Sequence, residues 1–421
     1  MRADTVGPGE EVPVRAMLRA ICPSMLAVLL AAPVHALSLR ARLPEAARLV
    51  GIEGGTAFDA LANAIADTAA REIPVVAASA GFTYRYNPEL EVFERTSETL
   101  GPLFLERPDT LGQGKLNVNV SYQFVELNQI DGAATNELEA PDRIVLQEVG
   151  PGGVLVRKTA NRLRYNLKLI NHVAGVSATY GVLDNLDVNL LVPIIETNYD
   201  VTAYNTQDLE QLPGGPYQSA PVPTQSGTLR ATKLGVGDIF LRAKYQLPAQ
   251  GIWRSALGLQ LRLPSGDEDD FHGTGTFEAS PFLYVSTVLA SRFEPHGDVG
   301  VDLREDDVER SQARYGLGVD IDVTKRLGVA LAFLGRSEFK RSSPAGETSF
   351  RHLINPATGT EAQRPLLGIA FDRKDFFDFS FGARAVVWRQ IMLFANGIYA
   401  LNDDGLRNDS VIPMVGFEGT F

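Results

Sequence analysis

Cysteine is nearly absent: the 421 residues contain one, Cys22. A disulfide framework needs at least a pair and a thiolate metal site needs several, so neither organises this chain. Long apolar runs are missing as well, and no segment reaches the roughly 20 consecutive apolar residues of a spanning helix. Positive charge is in deficit, with 39 Lys+Arg against 51 Asp+Glu and a net charge of −12. A nucleic-acid-binding face requires the opposite sign. No Gly-rich phosphate loop, His-Glu-x-x-His helix or Cys cluster occurs, so no cofactor and no metal is expected. What is present is a hydrophobic fraction of 45%, with 39 Gly. That is enough for a core and excludes a disordered chain. The mean hydropathy of −0.03 excludes a helical membrane bundle. It does not exclude a transmembrane β-barrel, whose alternating faces average to nothing.

Met17 to Ala36 reads MLRAICPSMLAVLLAAPVHA. Arg19 supplies a positive leader, Met25–Ala32 a short apolar stretch, and Val34-His35-Ala36 a small-residue cleavage site. This predicts a secretory signal peptide over residues 1–36, cut between Ala36 and Leu37. Residues 1–16 stand in front of it, which makes Met17 an alternative start. Cys22 precedes the apolar stretch, so it is not a lipid-anchor cysteine, and it leaves with the signal. Residues 1–36 hold three basic and three acidic residues, so the exported chain keeps its charge of −12.

From Lys115 onward the sequence alternates. In 116–124, Leu116, Val118, Val120, Tyr122 and Phe124 share one face; Asn117, Asn119, Ser121 and Gln123 share the other. Segments 235–247, 314–323 and 377–387 repeat the pattern. A soluble sheet with one wet face would alternate too. Length separates the two cases, because many runs reach 10 to 14 residues, whereas soluble strands average ~5–6 and tilted membrane strands need ~9–11. Aromatics near the ends of the apolar faces (Tyr180, Tyr245, Tyr399, Phe421) match interfacial girdles, and the connections alternate short and long. The expected fold is all-β: a transmembrane antiparallel outer-membrane β-barrel over 115–421. About twelve strands are expected, at 115–127, 162–181, 185–199, 234–247, 252–264, 280–292, 296–305, 310–323, 326–339, 374–388, 390–402 and 409–421. Segment 162–181 loses its phase near Ala174-Gly175, which suggests a bulge, and segment 280–292 is ambiguous on both faces.

Residues 37–114 do not alternate at spanning length. Thr56 can cap a helix over 57–71. GFTYRYNPELEVFERTS, Gly81 to Ser97, reads as a hairpin turning at Asn87-Pro88, and Gly101 to Lys115 is rich in turn residues. The segment is expected to be a short helical and hairpin plug inside the barrel, or else a tail docked on its rim. As a third possibility, the hairpin adds two strands and makes the barrel fourteen-stranded.

At these residues the chain resembles a family of bacterial outer-membrane transporters grouped with the "MetA pathway of phenol degradation" proteins. The resemblance is carried by GFTYRYNPELEVFERTS, GPLFLERPDTLGQGKLNVNVSYQF, YGVLDNLDVNLLVPI and LGVGDIFLRAKYQL, across much of 80–250. It implies an outer-membrane barrel that passes small, often hydrophobic or aromatic, compounds. It supplies no catalytic residues.

The register assigns the inward face. Arg164, Lys168, Asp238, Arg242, Arg262, Asp302, Arg314, Asp320, Arg384 and Glu418 are expected to be lumen-lining charges. Reversing segment 235–247 would put Arg242 and Lys244 into lipid at roughly 2–4 kcal/mol each. Mixed sign argues against a strongly ion-selective pore, and a self-satisfying cross-barrel network is the alternative. Phe240, Val386, Trp388, Met392, Phe394, Ile398, Ile412 and Met414 make part of the inner wall apolar. That wall either meets an apolar permeant or is covered by the amino-terminal segment, for which Phe58, Leu61, Ile65, Leu103 and Phe104 are the contact candidates. The acidic loop Ser265–Gly273 is expected to be a solvated outer loop rather than a cation site. His272 beside Asp269 and Asp270 is the one locally clustered Asp–His pair, in a loop that reads as mobile. His296 falls in a short turn.

No enzyme is expected. The function expected is passive uptake of small hydrophobic or aromatic compounds across the outer membrane of a Gram-negative-type bacterium. The alternative is a structural or adhesive barrel that binds a partner through loops 200–232 and 340–372. Partners are outer-membrane lipid, a small permeant, and the assembly machinery, which would read the carboxy-terminal Phe421.

Overall fold

The computed structural model describes residues 37–52, 56–73, 84–87, 92–95, 104–130, 132–139, 144–149, 155–210, 224–289, 292–306, 308, 311–340, 350–354, 361–365, 373–388 and 390–421. The expected signal peptide lies outside them.

Twelve antiparallel strands close into a barrel: β1 Leu116–Leu127, β2 Leu155–Leu183, β3 Leu186–Glu210, β4 in two parts (Gln225–Val236 and Ile239–Gln246), β5 Trp253–Leu263, β6 Glu278–Thr287, β7 Phe293–Arg304, β8 Gln312–Asp322, β9 Leu327–Glu338, β10 Asp375–Trp388, β11 Ile391–Ala400 and β12 Ile412–Thr420. β12 pairs with β1, and the backbones of Phe421 and Leu116 exchange hydrogen bonds of 2.7 and 2.9 Å at the seam. Closure leaves no unpaired edge in lipid, which is the condition for a spanning sheet. Tyr84–Asn87 and Val92–Arg95 pair only with each other, so the hairpin adds no strands and the count is twelve.

The outer face carries the apolar half of each alternation. Leu190, Leu241, Leu259, Leu317, Phe381, Leu393 and Phe417 are all exposed, a band too large for a water-facing surface and suited to lipid. Tyr180, Tyr245 and Phe421 stand at the rim of short turns, and Tyr399 lies toward the rim of long loops. Short turns belong to the periplasmic side.

β2 is 29 residues long and β3 is 25, well beyond the expected segments. Pairing through Ala174-Gly175 is unbroken, so no bulge lies there. The apparent phase slip is an exchange of environments. Toward the short turns the inner face of β2 is Asn171, Val173, Ser177 and Thr179, all buried, while Val176 and Tyr180 are exposed. Toward the long loops the buried face becomes Leu163, Tyr165, Leu167 and Leu169, because helices cover it. The outer face becomes polar because it has left the lipid. The bulge sits in β4 instead. From Val236 opposite Ile194 to Phe240 opposite Leu191, β4 uses one residue more than β3.

Among the described residues, two helices precede the barrel, α1 Leu39–Leu49 and α2 Thr56–Arg71. α2 was legible from its apolar spacing. α1 was not, because Pro44 lies inside it and proline argues against a helix interior. Its buried Leu39, Leu43, Ala46, Ala47 and Val50 nevertheless follow helical spacing. These side chains join Ala62, Ile65, Ala66 and Ala69 of α2 and pack on Val125, Leu127, Leu163, Leu169, Tyr199 and Val201. At ~1.5–3 kcal/mol per fully buried Leu or Ile, this cluster is the main attachment of the helices. Partly exposed ion pairs such as Arg40–Glu268 contribute ~0–1 kcal/mol each.

Candidate functional site

The lumen holds the helices at the long-loop end and a strap from Phe104 to Lys115 at the short-turn end, with a cavity between them. The strap leads into β1. Its Gly114 N donates to Gly181 O at 2.8 Å, and Gly181 N donates to Lys115 O at 2.9 Å. A Cβ on Gly181 would collide with the carbonyl of Gly112, so only glycine permits this approach. Higher up, Leu105 is buried over Gly316 and Gly318 of β8, where a side chain would occupy its place.

Charges fasten the strap to the wall. Lys244 Nζ donates to Glu106 at 2.9 Å and to Arg107 O at 3.0 Å. Arg107 pairs with Glu294, and its Nε lies 4.0 Å from Asp320. Arg254 bridges Asp109 at 2.7 Å and Glu294 at 2.6 Å. Leu111 N donates to Asp187 at 2.9 Å. His296 is a buried inner-wall residue of β7, 3.8 Å from Asp320, not a turn residue: β7 begins three residues earlier than expected.

A second set of charges holds the carboxy-terminal end of α2 across the lumen. Arg71 pairs with Glu278 of β6. Arg262 donates to Ala70 O at 2.9 Å, a cation at the negative end of a helix. Glu72 accepts from Arg336 at 2.9 and 3.0 Å and from Arg407 at 3.4 Å. Both guanidiniums lie over Phe376, at 4.6 and 4.9 Å from the ring centroid. Arg407 is also 3.0 Å from Asp378.

The outer loop after β5 clasps α1. Asp270 accepts from Leu39 N at 3.0 Å and from Lys233 at 2.9 Å. Arg40 reaches Glu268 at 3.2 Å and Asp269 at 3.0 Å, and Arg40 N donates to Asp269 O. The loop is therefore fastened rather than mobile, with its carboxylates bonded to the helix. His272 is buried with Nε2 unpartnered. Burial holds the His272 imidazole below its usual pKa, opposed by the charges of Asp270 and Asp267. Among the described residues no cluster could hold a metal ion.

Of the charges assigned to the lumen, Asp238, Arg262, Asp302, Asp320, Arg384 and Glu418 are buried. Asp238, aimed inward by the β4 bulge, accepts from Arg262 at 2.8 Å and from Thr274 N at 2.9 Å. Arg242 donates to Gln260, and Arg314 lies 3.7 Å from Asp302. Arg164 and Lys168 do not belong to this set. Both are exposed on the outer face of β2, opposite Tyr204 and Asp200, because the inner face there is apolar and occupied by helices.

Among the apolar candidates, Phe240, Met392, Phe394, Ile398 and Met414 are buried. Val386 and Ile412 are half-buried, and Ile412 touches the helix cluster. Trp388 is 63% exposed at the short-turn rim, past a register shift after Val386, so it does not line the lumen. Phe104 packs on Phe394 and Met414. Ile65 belongs instead to the buried cluster that joins the two helices to Val125, Leu163 and Tyr199. Leu103 and the side chains of Phe58 and Leu61 lie outside the described residues. Sequence reading missed Glu72, Arg107, Arg254, Glu294, Arg336 and Arg407. Alternation could have found the strand members. Nothing local marks Glu72, Arg107 or Arg407.

The cavity is bounded by Ala70–Ile73 on one side and by Phe104 and Leu105 on the other. Its unfilled space is about 1440 Å³, counting solvent at its openings. Val173, Leu191, Pro193 and Ile195 give it one apolar wall; Arg262, Arg314, Arg336, Asp298 and Asp302 give it a charged one, interleaved with Phe240 and Phe282. Guanidiniums lie over both rings, Arg262 at 5.4 Å from Phe240 and Arg314 at 5.4 Å from Phe282.

Comparison with known proteins gives one family match. The model of the family described as "Putative MetA-pathway of phenol degradation" matches residues 147–383. Among solved structures, the chain is similar to an outer membrane channel from Pseudomonas putida F1, with 12% identity, 75% of this chain and 98% of that chain covered, and a TM-score of 0.43. It is similar to a FadL homologue from Pseudomonas aeruginosa (12% identity, 73% and 90% covered, TM-score 0.33). It is also similar to the CymD monoaromatic hydrocarbon channel (10% identity, 74% and 89% covered, TM-score 0.32). No curated protein matches.

Proposed function

The chain belongs to this phenol-degradation family, and on that premise we propose that the barrel is a passive uptake channel for small hydrophobic or aromatic compounds. The cavity carries the reading. It joins an apolar wall (Val173, Leu191, Ile195) to two aromatic rings, Phe240 and Phe282. The charges around it are largely committed: Arg262 to Asp238 and Ala70 O, Arg336 and Arg407 to Glu72. Committed charges bind water and ions less, which leaves the apolar surface to the solute. A wide aqueous porin would keep its lumen polar throughout.

The test is uptake of a radiolabelled phenol-sized aromatic by whole cells with intact lipopolysaccharide, with and without the chain in the outer membrane. Faster entry with the chain is expected. Equal rates would refute the reading and favour the structural or adhesive barrel.

A further inference from the structure

Two cavities are stacked along the β4–β5 wall. The larger is the one described above. The smaller, with about 320 Å³ of unfilled space counting solvent at its openings, is lined by Glu106, Asp187, Asn189, Lys244 and Tyr284 and lies toward the short turns. Gln260 lines both. It stands opposite Arg242 in the β4–β5 register, and Arg242 Nε donates to Gln260 Oε1 at 2.9 Å. The Arg242 guanidinium lies 5.6 Å from the ring of Phe240, which lines the larger cavity, while Arg242 itself lines the smaller. Across from this pair is the strap, with Leu105 in one cavity and Glu106 in the other. The join between the cavities thus runs between strap and wall, past Arg242 and Gln260.

We propose that the Arg242–Gln260 pair is the selectivity gate of the lumen, favouring solutes with an anionic or hydrogen-bond-accepting group over cations of similar size. A solute crossing the join displaces the amide oxygen of Gln260 from the guanidinium. Arg242 is half-buried, and leaving its donor unmet carries a cost. A carboxylate, sulfonate, phenol or carbonyl oxygen replaces the lost acceptor as it passes; an ammonium cannot, and it meets a fixed positive charge. Below the join Lys244 and Glu106 pair at 2.9 Å, and their charges offset one another. Glu106 is held by Lys244 and Asp187 accepts from the strap amide of Leu111, so the group bonded across the join itself is the Arg242 guanidinium. The inference rests on the channel reading above and adds to it the chemistry of the solute's polar end.

The test uses the whole exported chain in proteoliposomes, with benzenesulfonate and benzyltrimethylammonium as probes that stay charged at every pH. Wild type is expected to pass the sulfonate faster. Gln260→Glu replaces the neutral amide acceptor of Arg242 by a carboxylate, turning the bond into an ion pair, and is expected to slow the sulfonate about tenfold. Gln260→Ala is expected to speed it. Arg242→Gln is expected to bring the two probes to equal rates. Folding of each variant is checked by heat-modifiable gel mobility, and Arg242→Lys, which keeps the charge, is expected to retain the anion preference. Flux of both probes at rates that these substitutions leave unchanged would overturn the gate alone. No flux of either probe through wild type would overturn the channel reading and the gate with it.

Discussion

Glu72 is the residue on which the attachment of α2 to the far wall depends. It is buried, as is Arg407, and the Arg336 side chain is 19% exposed. Glu72→Ala removes the shared acceptor of both cations. Arg407 keeps Asp378 at 3.0 Å and the oxygens of Phe377 and Asn402, so most of the loss falls on Arg336. Breaking a buried pair by removing one partner costs ~3–5 kcal/mol. The lower end applies, because Arg336 is partly wet and retains the face of Phe376. About 3 kcal/mol shifts the balance between docked and undocked helix end by roughly two powers of ten. The strands are not expected to respond, since their stability rests on the closed ladder. Amide hydrogen exchange by mass spectrometry reads this local opening directly. The reporter is the last turn of α2, where Glu72 N donates to Thr68 O at 3.0 Å. Exchange there is expected to quicken about a hundredfold in Glu72→Ala and about tenfold in Glu72→Gln, which keeps one acceptor, with β9 and β10 unchanged. Unaltered protection in Glu72→Ala, in a barrel shown to be folded, would refute the latch.

Two further outcomes follow from the geometry. Arg164→Ala and Lys168→Ala are expected to change stability by less than about 0.5 kcal/mol and to leave solute flux as in wild type, because both side chains face outward; a changed flux from either would return them to the lumen. The His272 imidazole is held below its ordinary value of 6.5 by burial, so the unfolded or opened loop binds the proton more readily. The stability it contributes to the α1 clasp is complete above about pH 6.5 and is lost as pH falls through the lowered native value. Exchange in 264–277 is expected to quicken over that range and to show no such pH dependence in His272→Gln; an identical pH profile in both would remove His272 from the account.

The barrel was legible because its determinant is local. A charge facing lipid costs kilocalories, so period-two alternation at spanning length marks each strand, and the chain's final Phe421 closes the seam on Leu116. The same rule misplaced Arg164 and Lys168. It assumes that the apolar face of a strand meets lipid, and in the outer half of β2 that face meets helices instead. The bulge was expected in β2 for the same reason and lies in β4, where Gly237 and Asp238 carry no alternation signal of their own. α1 was hidden by Pro44, although its buried spacing is helical.

The sequence by itself determined an antiparallel barrel of about twelve strands, with fourteen left open, and most of the inward and outward faces within the lipid zone, because each follows from a residue's own solvation cost. Only the tertiary structure decided what fills the barrel. Glu72 meets Arg336 and Arg407, Arg107 meets Glu294, and Phe104 meets Phe394 across separations of 187 to 335 residues for the ion pairs. Such pairings leave no periodic trace, since a buried charge specifies that it needs a partner but not which one.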